Sequence, residues 1–180
     1  MLIRKINAGL GLLINFLLLD HAIFYSVWMM SGGTIEKSAA FMPWVLMGLT
    51  IVHALLGMEI AISGIMESAE RKCKLYHKLN AATMIQRISG ILMLLLIGLH
   101  IAGATKHFQP KMLHAVVHPL FFVTVLTHIA LSSGKALITL GIGNAKVIKI
   151  VDGIVKVICG LTLIICMTGL YLYLFREVAE

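Results

Sequence analysis

Five runs of mostly apolar residues, each long enough to cross a bilayer, occupy nearly all of this chain. A bilayer-spanning helix needs about 20 predominantly apolar residues. The runs predict helices over about Ile6–Met30, Phe41–Met66, Ala81–Ala104, Leu113–Leu140 and Ile148–Phe175. What remains of the 180 residues is four short connections and two ends. The expected fold class is therefore an all-α membrane protein, a five-transmembrane-helix bundle forming one domain over residues 1–180. Charged residues make up only 13% of the chain, against roughly 25% in soluble domains. There is no room for a dinucleotide-binding unit, a phosphate loop or a soluble catalytic domain. Any chemistry has to sit inside the bundle.

The breaks between the runs carry recognisable stop signals. Ser31-Gly32-Gly33 ends the first, and Gly141-Ile142-Gly143-Asn144 separates the last two. Pro43 falls near the start of the second helix, where proline is tolerated. The basic start and first apolar run resemble a leader peptide. The run is too long for a leader, however, and Asp20-His21 interrupts it, so a retained first helix is expected.

The net charge of +7 does not point to nucleic acid, because the basic residues sit where helices leave the membrane. One side collects Arg4, Lys5, Arg71, Lys72, Lys74, Lys78, Lys146 and Lys149, with Lys135 and Lys156 close by. The other has Lys37, Lys106, Lys111 and Arg176. By the positive-inside rule the first side is cytoplasmic. This places the N-terminus inside the cytoplasmic membrane and the C-terminus outside, with the basic loops against lipid. Cys73, Cys159 and Cys166 form no CxxC pair, so neither a disulfide framework nor a thiolate metal site is supported.

Eight histidines hold most of the functional information. His77 and His107 fall in connections, and His114 at the outer mouth of the fourth helix. The other five, His21, His53, His100, His118 and His128, lie within the apolar runs. Ionisable residues there are costly and point to function. At 1.5 Å per residue, His21 lies roughly 13 Å and His100 roughly 6 Å from the outer ends of their helices. The same rise puts His53 and His128 roughly 18 and 22 Å deep. Two levels follow: His21 with His100 in the outer one, and His53 with His128 in the inner one. His118, ten residues before His128, also falls at the outer level. It is an alternative ligand to His21 or His100, a quinone-bonding residue, or a structural histidine.

Paired histidines from different helices at one depth are what bis-imidazole haem needs, one ring on each face of the porphyrin. Zinc would want four ligands converging on one point. Close approach of a macrocycle needs small residues. Gly57 and Ser132 each lie four residues after a candidate ligand, on the same helix face. Gly11 and Gly90 each lie ten before one, His21 and His100. That shared spacing suggests that the first two helices and the next two are diverged repeats, although small residues also serve plain helix packing.

The segments Gln86-Arg87-Ile88-Ser89-Gly90, His53-Ala-Leu-Leu-Gly57 and Thr127-His128 through Gly134-Lys135 together resemble the membrane cytochrome b subunit of the succinate dehydrogenase/fumarate reductase family. The match is to its five-helix, dihaem type, over the first four helices. The resemblance implies two haem b groups, with His21 and His100 ligating the distal iron and His53 and His128 the proximal one. It also implies haem-propionate contacts for Arg87 and Lys135, which otherwise read as snorkelling to lipid headgroups. The chain departs from the family in its short length and compact outer loops. For the acidic residue that some members use at an outer quinol site, it offers only Asp20, Glu36 and His114.

The function this implies is a membrane anchor that passes electrons between menaquinone or another quinone and two soluble partners, a flavoprotein subunit and an iron–sulfur subunit docked on the inner face. The chain alone would not interconvert succinate and fumarate. Two other readings stay open. One is a dihaem, quinol-oxidising cytochrome b serving an extracytoplasmic acceptor. The other is a haem-free transporter or structural membrane protein. Glu59 lies in the second run, six residues from His53, and is read as a proton carrier or an internal hydrogen-bonding group. Asp152 is read as a carboxylate favoured near a helix N-terminus.

Overall fold

The computed structural model describes residues 2–31, 41–70, 81–104 and 111–179. They form five α-helices: α1 Leu2–Ser31, α2 Phe41–Glu70, α3 Ala81–Ala104, α4 Lys111–Leu140 and α5 Ala145–Ala179. All five are long and apolar enough to cross a membrane, consistent with an integral membrane protein. Lining the outside are large apolar side chains from every helix, among them Phe16, Leu55, Leu95, Val116 and Ile164. That surface suits lipid and not water. Several helices run past the expected apolar limits. Helical backbone hydrogen bonding does not depend on apolar side chains, so a helix need not end where its hydrophobicity does.

The Gly141–Asn144 break is a double cap. Gly141 takes φ 77° and Gly143 φ 82°, the left-handed region that glycine enters without steric cost. The Gly141 N–H donates to the Ile138 carbonyl and the Ile142 N–H to the Leu137 carbonyl, which is the Schellman pattern. Asn144 then opens α5 by accepting the Val147 N–H on its side-chain oxygen at 3.0 Å, an N-cap. Two caps back to back turn the chain with only four residues between helices.

α1, α4 and α5 pack on one another, α2 packs against α1, and α3 against α4. Met93 of α3, Val125, Leu126 and Ile129 of α4 and Cys159 of α5 form the buried centre, with Leu18 and Leu19 of α1 against it. Hydroxyls inside the bundle are spent on their own helix: Ser26 donates to the Ala22 carbonyl at 2.6 Å and Thr124 to that of Leu120 at 2.7 Å. In lipid every polar group has to be satisfied internally. Between helices, the Asn15 amide donates to the Ser133 hydroxyl at 3.2 Å, joining α1 to α4. A Cβ on Gly169 would fall 2.7 Å from the Ser26 carbonyl oxygen, so only glycine lets α5 approach α1 this closely.

Asp152 corrects its sequence reading. α5 begins at Ala145, so Asp152 lies two turns inside it and caps nothing. It pairs instead with Lys156, one turn on, at 2.5 Å.

Candidate functional site

The histidines within the helices fall into two groups at different heights of the bundle. In the group nearer the start of α1, the inner level expected from the sequence, two contacts repeat one design. A Cβ on Gly11 of α1 would meet the His53 ring of α2 at 3.0 Å, and one on Gly90 of α3 would meet the His128 ring of α4 at 3.3 Å. Each glycine opens a recess that a ring from the next helix enters. This parallels the equal spacing of the glycines from His21 and His100. His53 and His128 lie within range of each other's charge. Gly57 faces open space, with nothing within 4 Å of an added Cβ.

His128 has a defined tautomer. Its Nδ1 lies 3.0 Å from the Gln86 carbonyl oxygen and 3.1 Å from the Ser89 hydroxyl. The Ser89 hydroxyl itself donates to the Gln86 carbonyl at 3.0 Å. A carbonyl only accepts, so Nδ1 carries the proton and Nε2 holds the lone pair. Metal-binding histidines are typically fixed in this way, through a hydrogen bond from the other ring nitrogen. Gln86 also holds Lys135: the ammonium donates to its side-chain oxygen at 2.7 Å and to the Thr83 hydroxyl at 3.0 Å. Arg87 is exposed on α3, within electrostatic range of Lys135.

His53 is held differently. Its Nδ1 is buried without a hydrogen-bond partner among the described residues, as is Oδ1 of Asn7, one turn before Gly11 on α1, and the Asn7 backbone interacts with the ring. An unpartnered buried polar atom is costly and calls for an explanation. The inner level thus offers two imidazoles, from His53 and His128, each packed against a glycine, as the nitrogen donors a haem iron could take.

At the outer end a small cleft of about 90 Å³ is lined by His21 and Tyr25 of α1, His100 of α3, His118 and Phe122 of α4, and Cys166 of α5. His100 Nδ1 and His118 Nε2 are 3.2 Å apart, with the two rings inclined at 78°. Phe121 stacks on His100 at 5.2 Å and 25°. Tyr25, one turn from His21, sits 4.5 Å from its ring. Beyond Tyr25, the Trp28 indole N–H is buried without a partner among the described residues. Among those residues no three His, Cys, Asp or Glu side chains form a metal-holding group. The histidines thus occur in pairs and a hydrogen-bonded couple, and do not form a tetrahedral set.

Gln86 and Ser89 belong to the Gln86–Gly90 motif, and their contact with His128 is visible only in the packed bundle. Their spacing, with Gly90, at 86, 89 and 90 is that of a single helix face. Tyr25, four residues after His21, carried the same signal. Asp20 and Glu59 are exposed, with Asp20 within electrostatic range of His21. Cys73, His77, His107, Glu36 and the basic segment 71–78 lie outside the described residues, and the side chain of His114 is likewise not described. No family model, curated protein or solved structure matches this chain.

Proposed function

We propose that this chain is a dihaem b cytochrome. In this reading it anchors a succinate:quinone or quinol:fumarate oxidoreductase in the cytoplasmic membrane and relays electrons between a bilayer quinone and flavoprotein and iron–sulfur subunits on its inner face. One observation carries the reading. Four helices each contribute a histidine, two at each level of the bundle, and the inner two rings enter recesses made by Gly11 and Gly90. The matched recesses seat one ring from α2 and one from α4 in the same way.

His53 and His128 would hold one group and His21 and His100 the other. Bound haem supplies one-electron exchange. The residues supply its setting. The Gln86 carbonyl holds the Nδ1 proton of His128, leaving Nε2 as the ligating nitrogen. Lys135, tied to Gln86 and Thr83, keeps a positive charge at the inner end of the same α4 face, where with Arg87 it would meet propionates. The apolar walls of α3, α4 and α5 keep water from the region between the two levels.

The test is the visible spectrum and haem content of the purified protein. Two low-spin b haems per chain are expected, and the reduced haems should be reoxidised by a quinone analogue. A protein without haem overturns the reading. Haems that exchange no electrons with any quinone or quinol overturn the quinone assignment.

A further inference from the structure

We propose that His118 is a positioning residue for the outer site: its Nε2 accepts the Nδ1 proton of His100 and thereby presents His100 through Nε2. This rests on the dihaem reading, which needs two ligands at the outer end, where the cleft holds three histidines.

The geometry separates the three. Nitrogen atoms 3.2 Å apart are at hydrogen-bond length. Two imidazoles on one metal need roughly 2 Å for each bond, so no iron fits between His100 and His118. They are therefore not the two ligands of one haem, and one of them serves the other. With neutral rings, one nitrogen of the contact donates and the other accepts. If His118 donated, His100 would carry its proton on Nε2 and that nitrogen could not ligate. Ligation by His100 thus requires His118 to accept, with the His118 proton on Nδ1. The reverse assignment would leave His118 to ligate through Nδ1, the nitrogen closer to its own backbone and the shorter in reach.

The two ends then follow one rule. His128 is held through Nδ1 by a backbone carbonyl of α3. His100 is held through Nδ1 by a side chain of α4. α4 holds His100 twice, since Phe121, one turn after His118, stacks on the His100 ring. An acceptor on Nδ1–H makes the imidazole a more basic ligand. That favours ferric over ferrous iron and lowers the potential of the haem.

The test uses the purified holoprotein with His118→Leu, His118→Gln and His100→Leu, read by haem content, spin state and redox titration. The inner haem of each variant serves as the internal check on folding. His118→Leu should keep both haems low-spin, move the outer midpoint upward, and weaken outer haem retention about 10- to 100-fold. His118→Gln, which keeps an acceptor oxygen at similar reach, should restore most of both. His100→Leu should abolish the outer low-spin signal. The proposal is overturned if His118→Leu leaves outer potential and retention unchanged, or if His118→Gln shifts them as far as His118→Leu does. It is also overturned if His118→Leu turns the outer haem high-spin as His100→Leu does, for then His118 is itself a ligand. A wild-type protein without haem overturns the dihaem reading, and this one with it.

Discussion

His53 and His128 are the most informative residues for pairing. They come from helices that both pack on α1 and lie within range of each other's charge. If they share an iron, their losses are not additive, because residues serving one site couple while separate sites add. His53→Ala should remove or convert the inner haem and spare the outer one. Adding His128→Ala should cost little further haem, while adding His100→Ala should remove the second. Haem counted per folded chain, by pyridine hemochrome and protein assay, checks this. If the His53/His128 double variant loses both haems and the His53/His100 variant keeps one, the pairing is wrong.

At the scale of elements, a glycine on one helix faces a histidine on the next, once between α1 and α2 and once between α3 and α4. A larger side chain at either glycine would drive the ring out of its recess and fill the space a macrocycle needs. Gly11→Leu and Gly90→Leu should each take inner haem from about one per chain to near none while the outer haem stays. Gly57→Ala, where an added Cβ meets nothing within 4 Å, should leave both. The spectra of the three variants decide. Loss in all three would mean that small residues matter here for general helix packing and not for these recesses.

For the whole molecule, five spans among the described residues would put the start of α1 and the end of α5 on opposite faces of the membrane. Arg4, Lys5, Lys146 and Lys149 would then share one face, expected to be the cytoplasmic one. An alkaline phosphatase fusion after Glu180 should therefore be active, and one within 71–78 inactive, with the converse for a cytoplasmic green fluorescent reporter. The same activity pattern at both positions would end the five-span topology. Orientation also decides where soluble subunits can dock: the inner face proposed for them is the face that carries the excess charge.

Much of this architecture was legible along the chain. Apolar runs set the five helices, and Gly141, Gly143 and Asn144 set the α4–α5 turn, because caps and spans are local. Depth was legible too, since helical rise is constant and turns residue number into height; His21 and His100 do line one cleft. What the sequence by itself left undetermined was azimuth, that is, which helix each face meets. In water an apolar stripe marks the buried side of a helix. These helices are apolar toward lipid and toward one another, so that mark is erased. Only the packed bundle set His118 Nε2 against His100 Nδ1, brought the Gln86 carbonyl to His128 and let Gly169 admit α5 against Ser26. Those contacts depend on close approach between helices far apart in the chain, and no local periodicity encodes that approach.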